Sequence, residues 1–238
     1  MFAIYKKEMR SYFTSPVGYV FIAAYLAISG FMFSMFTVQY GASGSDYDLG
    51  MYFTILMFMF SILVPLLTMK IFADERKLKT EQLLLTSPVS LTGMVTAKFL
   101  AAYTMFAGTF IISCIDFFVL FKYGEPQPGV LFGYCIGILL LGGAFVAIGV
   151  FVSSLTENQI AAAVGTIAVL LLMLMINFLN SYIDFTWLRT ALNWISIYSR
   201  FFNFTYGIFD INAIIYYASI IVVFLFLTVR VYEKRRWE

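Results

Sequence analysis

The side chains able to do chemistry are few, and most of them crowd into one place. Between Asp74 and Glu81 the chain reads DERKLKTE, which brings together Asp74, Glu75, Arg76, Lys77, Lys79, Thr80 and Glu81. Mixed charge alongside leucines suits a protein partner better than an anionic lipid surface, which would prefer cations alone. Histidine is absent altogether, which removes the usual proton relay and the commonest metal ligand. No paired acidic motif and no metal-ligand cluster stands out, so an intramembrane enzyme is not indicated and no metal is expected. No G-x-x-x-x-G-K-[ST] occurs, so the chain has no phosphate cradle of its own. Cys114 and Cys135 both fall within apolar stretches and are expected to be buried free thiols.

The elements that must carry these residues follow from composition. Of 238 residues, 62% are hydrophobic and 12% charged, and the mean hydropathy is +0.90. A soluble domain of this size has no way to hide so much apolar surface, so an all-α integral membrane protein is expected. At about 20 residues per crossing there is room for roughly six helices. The expected spans are 16–39, 50–72, 94–121, 129–155, 160–181 and 212–231. Isolated strands are excluded because lipid leaves their amides unpaired, and the apolar runs do not alternate as barrel strands do. Lys6, Lys7 and Arg10 precede the first span as in a signal peptide. That span is nevertheless of full crossing length without a cleavage pattern, so it reads as a retained helix.

Orientation follows from Lys and Arg placement. An even number of crossings puts both termini on one side, where 12 of the 15 basic residues then lie. Lys122, Arg189 and Arg200 face the other side. This imbalance predicts cytoplasmic termini in a bacterial inner membrane, with the 74–81 run also cytoplasmic.

Three further features shape the expectation. Residues 1–15 place Phe2, Tyr5, Met9, Tyr12 and Phe13 at helical spacing opposite charged neighbours, which predicts an amphipathic helix along the inner membrane surface. Span four carries Gly133, Gly137, Gly142, Gly143 and Gly149, expected to pack against small residues of span five. Residues 182–211, rich in aromatic side chains, predict a re-entrant outer hairpin before span six, which occupies 212–231 ahead of a short tail at 232–238. Asp116, Asn177 and Asn180 are the candidates for a transport pathway, since polar groups inside spans are functional suspects. Interhelical hydrogen bonding is the alternative use of the two asparagines. In span two, Pro65 frees a backbone carbonyl that Ser61 is expected to serve.

The polar run itself predicts a helix from Asp74 to Leu85, which contains neither Gly nor Pro, with Asp74 and Glu75 at its positive end and Pro88 as the stop. Glu75-Arg76-Lys77, Thr80-Glu81, Leu84-Leu85 and Ser87-Pro88-Val89 resemble the first cytoplasmic loop of ABC-2 type transporter permeases, which typically reads E-x-x-x-G-T-x-E-x-L-L-x-x-P. The opening YKKEMRSYFTSPVGYVF is similar to the start of the gliding-motility-type permease subfamily. Lys79 departs from the family pattern, which usually has glycine there, and this counts against a tight turn at that position.

The resemblance spans the whole chain and implies a single transmembrane domain over 1–238, working as the permease subunit of an ATP-binding cassette transporter. It implies a dimer, homomeric or paired with a related permease, and a separate ATPase subunit binding ATP and Mg. Export is the direction that it suggests. A coupling helix would dock on that ATPase through Asp74, Glu75, Arg76, Lys77, Thr80, Glu81, Leu84 and Pro88, with Glu157 of the turn between spans four and five as a second contact. The motility-type likeness also implies an alternative, in which the ATPase cycle moves an extracytoplasmic accessory protein instead of a solute. The substrate is not legible in these residues.

Overall fold

The computed structural model describes residues 1–39, 49–82, 89–123, 127–179, 187, 196–202, 204 and 210–237. Among these, every regular element is a helix. The order is α1 (Phe2–Thr14), α2 (Pro16–Phe33) continued by a π-helical stretch (Ser34–Gln39), α3 (Leu49–Thr68), α4 (Lys70–Lys77), α5 (Leu91–Ser113), α6 (Asp116–Tyr123), α7 (Pro128–Leu155), α8 (Gln159–Leu179), α9 (Ile197–Phe202) and α10 (Ile211–Trp237). Among the described residues, six runs are long and apolar enough to cross a membrane: Pro16–Thr37, Leu49–Lys77, Leu91–Lys122, Pro128–Leu155, Gln159–Ile176 and Ile211–Arg236. The chain is a multi-pass membrane protein. Its expected outer hairpin over 182–211 falls largely outside the described residues.

Helix α7 is the hub, buried along most of its length. Its glycines make the close approaches, though not where the sequence suggested. A Cβ on Gly142 would collide with the Phe106 ring of α5, and one on Gly149 with the Thr68 side chain of α3. Gly137 faces Phe201 and Phe204. The expected packing against span five is met at Gly165, which faces Val152 of α7. The glycines thus serve mainly other helices, because those present the bulky rings and branched side chains that need the space.

Helix α1 lies across α5 and the start of the bundle. Tyr12 is buried and its hydroxyl donates to the Leu67 carbonyl at 3.1 Å, while Tyr5 donates to Thr104 Oγ1 at 3.2 Å. Ile4, Tyr5 and Met9 pack on the core, whereas Phe2 and Phe13, at the two ends, stay exposed. The apolar face predicted for lipid is therefore partly spent on protein. Burial raises the Tyr12 hydroxyl well above the ordinary phenol value, with a smaller push from Glu8.

In α3, Pro65 sits inside the helix, and the helix breaks at Met69 before α4 resumes. The Ser61 hydroxyl donates to Phe58 O at 2.6 Å. It does not serve its own carbonyl, the one that Pro65 leaves without a donor, because a helical serine reaches back toward the preceding turn.

Candidate functional site

Both termini and the 70–82 segment meet at one end of the bundle. Helix α4 is where they join. Its residues Ile71, Phe72 and Ala73 are buried, and the Phe72 ring lies 4.8 Å from Tyr232 of α10. Ser153 of α7 pins the α3–α4 junction: it donates to Met69 O at 3.1 Å and accepts from the amides of Phe72 at 3.2 Å and Ala73 at 3.3 Å. The bend is thereby hydrogen-bonded to the central helix at a point where its own ladder is interrupted.

Three ion-pair links radiate from this segment. The first is buried. Lys98 of α5 has a side chain 0% exposed, and its ammonium lies 3.0 Å from Glu8 Oε1 of α1 and 2.9 Å from Glu75 Oε2 of α4. It also donates to Ile71 O at 2.8 Å and stands 4.9 Å above the Phe72 ring. Lys7 closes the cluster from α1, 3.0 Å from Glu75 Oε1. Partial burial works against the Lys7 charge, but its bond and attraction to Glu75, helped by Glu8, outweigh this and hold it above the ordinary lysine value. A buried ammonium survives only when paired and hydrogen-bonded, and here two carboxylates and a carbonyl do both.

The second link joins Arg76 to the α7–α8 connection: its Nε lies 2.8 Å from Glu157 Oε1, and a terminal nitrogen donates to Leu155 O at 3.1 Å. The third joins the segment to α10. Arg235 lies 3.2 Å from Glu81 Oε1, donates to Ser154 O at 2.6 Å and stacks over Tyr232 at 5.3 Å.

The helix expected to start at Asp74 starts at Lys70 instead. The helix of span two resumes at Lys70 and runs on into the charged residues because Ile71, Phe72 and Ala73 find a buried surface to pack on. Asp74 and Glu75 therefore do not lie at a positive helix end; Arg76 and Lys77 lie at the negative one, where cations are favoured. The tight turn that Lys79 seemed to oppose is present. Thr80 N donates to Glu75 O at 2.9 Å and Lys79 N to Arg76 O at 3.1 Å, with Lys79 at φ 57°. This is a Schellman cap with lysine in the left-handed position usually held by glycine.

Of the predicted contact residues, Glu75, Arg76, Glu81 and Glu157 are thus brought into internal pairs, while Lys77 and Thr80 are exposed and Asp74 is half-buried. Leu84 and Pro88 lie outside the described residues, as does Asn180. Asn177 falls near the end of α8, far from the cluster in sequence and in element. Asp116 heads α6, just past a break in span three at Cys114 and Ile115. Buried hydroxyls lie close by, with Tyr25 bonded to Ser113 at 2.9 Å and Ser29 to Tyr52 at 3.0 Å. Sequence reasoning passed over Glu8, Lys98 and Arg235 as site residues, and placed Ser153 only within the polar turn at 153–159. Of the three passed over, Lys98 carried a signal, as a lone ionisable group inside an apolar span.

The described residues form a membrane domain with six helices long enough to cross a bilayer, whose polar end clasps one charged segment. A family model described as ABC-2 family transporter protein matches residues 38–231. The chain belongs to that family and is the membrane permease of an ABC transporter. No curated protein matches it.

Proposed function

We propose that the chain is one half of a dimeric, ATP-driven exporter, whose 70–88 segment is the handle worked by a separate ATP-binding subunit. Both termini and this segment then face the cytoplasm of a bacterial inner membrane, as the lysine and arginine imbalance favours. The observation that carries the reading is the triple link of α4 and its following turn to α1 and α5 through Lys98, to the α7–α8 connection through Arg76, and to α10 through Arg235. A segment tied to so many crossings passes a push on to all of them. An ordinary loop between two helices needs no such ties. MgATP would be held by the partner, since this chain carries no phosphate cradle.

The test is the hydrolysis rate of the assembled complex. Replacing Glu75 and Glu81 together by alanine is expected to lower transport-coupled ATPase activity several-fold while leaving the isolated ATP-binding subunit unchanged. A full coupled rate in the assembled variant would refute the handle.

A further inference from the structure

The proposed handle has Glu75 and Glu81 turned inward and Lys77 and Lys79 turned outward. Glu75 and Glu81, each 13% exposed, are held by Lys98 and Lys7 and by Arg235 respectively. Glu157 is paired with Arg76. At the tip, Lys77, Lys79 and Thr80 are exposed, and Leu78 between the two lysines is 70% exposed. Half-buried Asp74 is the remaining acid of the run, and residues 83–88 carry no charge in the sequence. Beside the tip opens a cleft of about 450 Å³, bordered by Lys77, Glu157, Asn158, Gln159 and Ile160, the last 72% exposed.

Resting on the coupling role proposed above, we infer that this tip docks into an acidic groove of the ATP-binding subunit, one with carboxylates at its rim for Lys77 and Lys79 and an apolar floor for Leu78. The adjoining cleft takes a side chain of that same partner. Complementary charge sets the register and speed of such an encounter, and the central leucine supplies the desolvated anchor. An anionic bilayer is the rival occupant, and the experiment separates the two.

The experiment uses the full-length chain in detergent, assembled with its co-expressed ATP-binding subunit. Affinity is measured at low and high salt for wild type, Lys77→Glu with Lys79→Glu, Lys77→Gln with Lys79→Gly, and Leu78→Ser. The lysine-to-glutamate pair is expected to weaken assembly by about tenfold or more and to flatten its salt dependence. The glutamine–glycine pair keeps the turn and controls for folding, and is expected to show an intermediate loss. Leu78→Ser is expected to weaken assembly without changing the salt slope. Wild-type affinity in the charge-reversed pair overturns the acidic groove while leaving the handle intact. Unaltered assembly with lost dependence of activity on anionic lipid assigns the tip to headgroups and likewise overturns it. Failure of the wild-type chain to assemble with an ATP-binding subunit brings down the coupling role itself.

Discussion

Lys98 Nζ stands 2.9 Å from Glu75 Oε2 and 3.0 Å from Glu8 Oε1, so one buried ammonium holds carboxylates from two other helices. Replacing it with methionine keeps the length and removes the charge, leaving Glu8 and Glu75 with only the more exposed Lys7 between them. Breaking a buried pair on one side costs about 3 kcal/mol or more, because the orphaned charge stays behind. Lys98→Met is expected to lower the thermal midpoint of the detergent-solubilised protein clearly. Adding Glu8→Gln and Glu75→Gln is expected to restore part of the loss. A methionine variant as stable as wild type would show that the clasp is not formed.

The Glu81–Arg235 pair spans 154 positions of sequence and ties the turn after α4 to the end of α10. Both groups keep some contact with solvent, so the link is modest. A double-mutant cycle with Glu81→Gln and Arg235→Gln should give a coupling energy of about 1 kcal/mol, read from thermal unfolding. Trypsin cleavage after Lys77 and Lys79 should rise in each single variant. Strictly additive effects would mean that the two ends are not joined.

The crossings were legible because apolar runs of the right length have few other solutions, and all six expected spans reappear with shifts at their ends. The polar segment was legible as a special place but misread in its geometry. The change from apolar to charged residues at Asp74 looked like a helix start, whereas the backbone takes no notice of that change. It follows Ile71, Phe72 and Ala73 onto a buried surface, which no local pattern reveals. The partners of Glu75 and Glu81 were hidden for a similar reason. Lys98 and Arg235 read as orientation markers, since pairing across distant positions leaves no spacing in the sequence. The glycines of span four signalled close packing correctly, while the identity of the neighbours depended on which helices present large side chains.

Gly149 and Gly142 carry that packing. A Cβ at Gly149 would lie 2.9 Å from Thr68 Cβ, which belongs to a branched side chain hydrogen-bonded to its own helix at Val64 O. Neither atom has room to yield without moving α3 against α7. Gly149→Ala is expected to cost about 1–3 kcal/mol, the usual range for overpacking. Gly142→Ala is expected to cost at least as much, since the Phe106 ring is fully buried against Phe60 and turning it leaves Cζ, on the rotation axis, against the new methyl. Thermal midpoints of the two variants check the order, and an unaffected Gly149→Ala would place α3 farther from α7 than described.

Lys79 occupies the left-handed position of the cap that ends α4, at φ 57°. An L-residue there is strained by roughly 1 kcal/mol, and a β-branched one by more. Lys79→Gly is expected to keep or slightly raise stability, with the Thr80 amide still protected by its bond to Glu75 O. Lys79→Val is expected to open the cap, because its branched side chain clashes with the backbone in this conformation. Hydrogen exchange at Lys79 and Thr80 separates the two: slow in the glycine variant, faster by about fivefold or more in the valine variant, a factor corresponding to roughly 1 kcal/mol of lost protection. Equal exchange in both would mean that α4 does not end in this cap. The exposed lysines would then have no fixed direction in which to point.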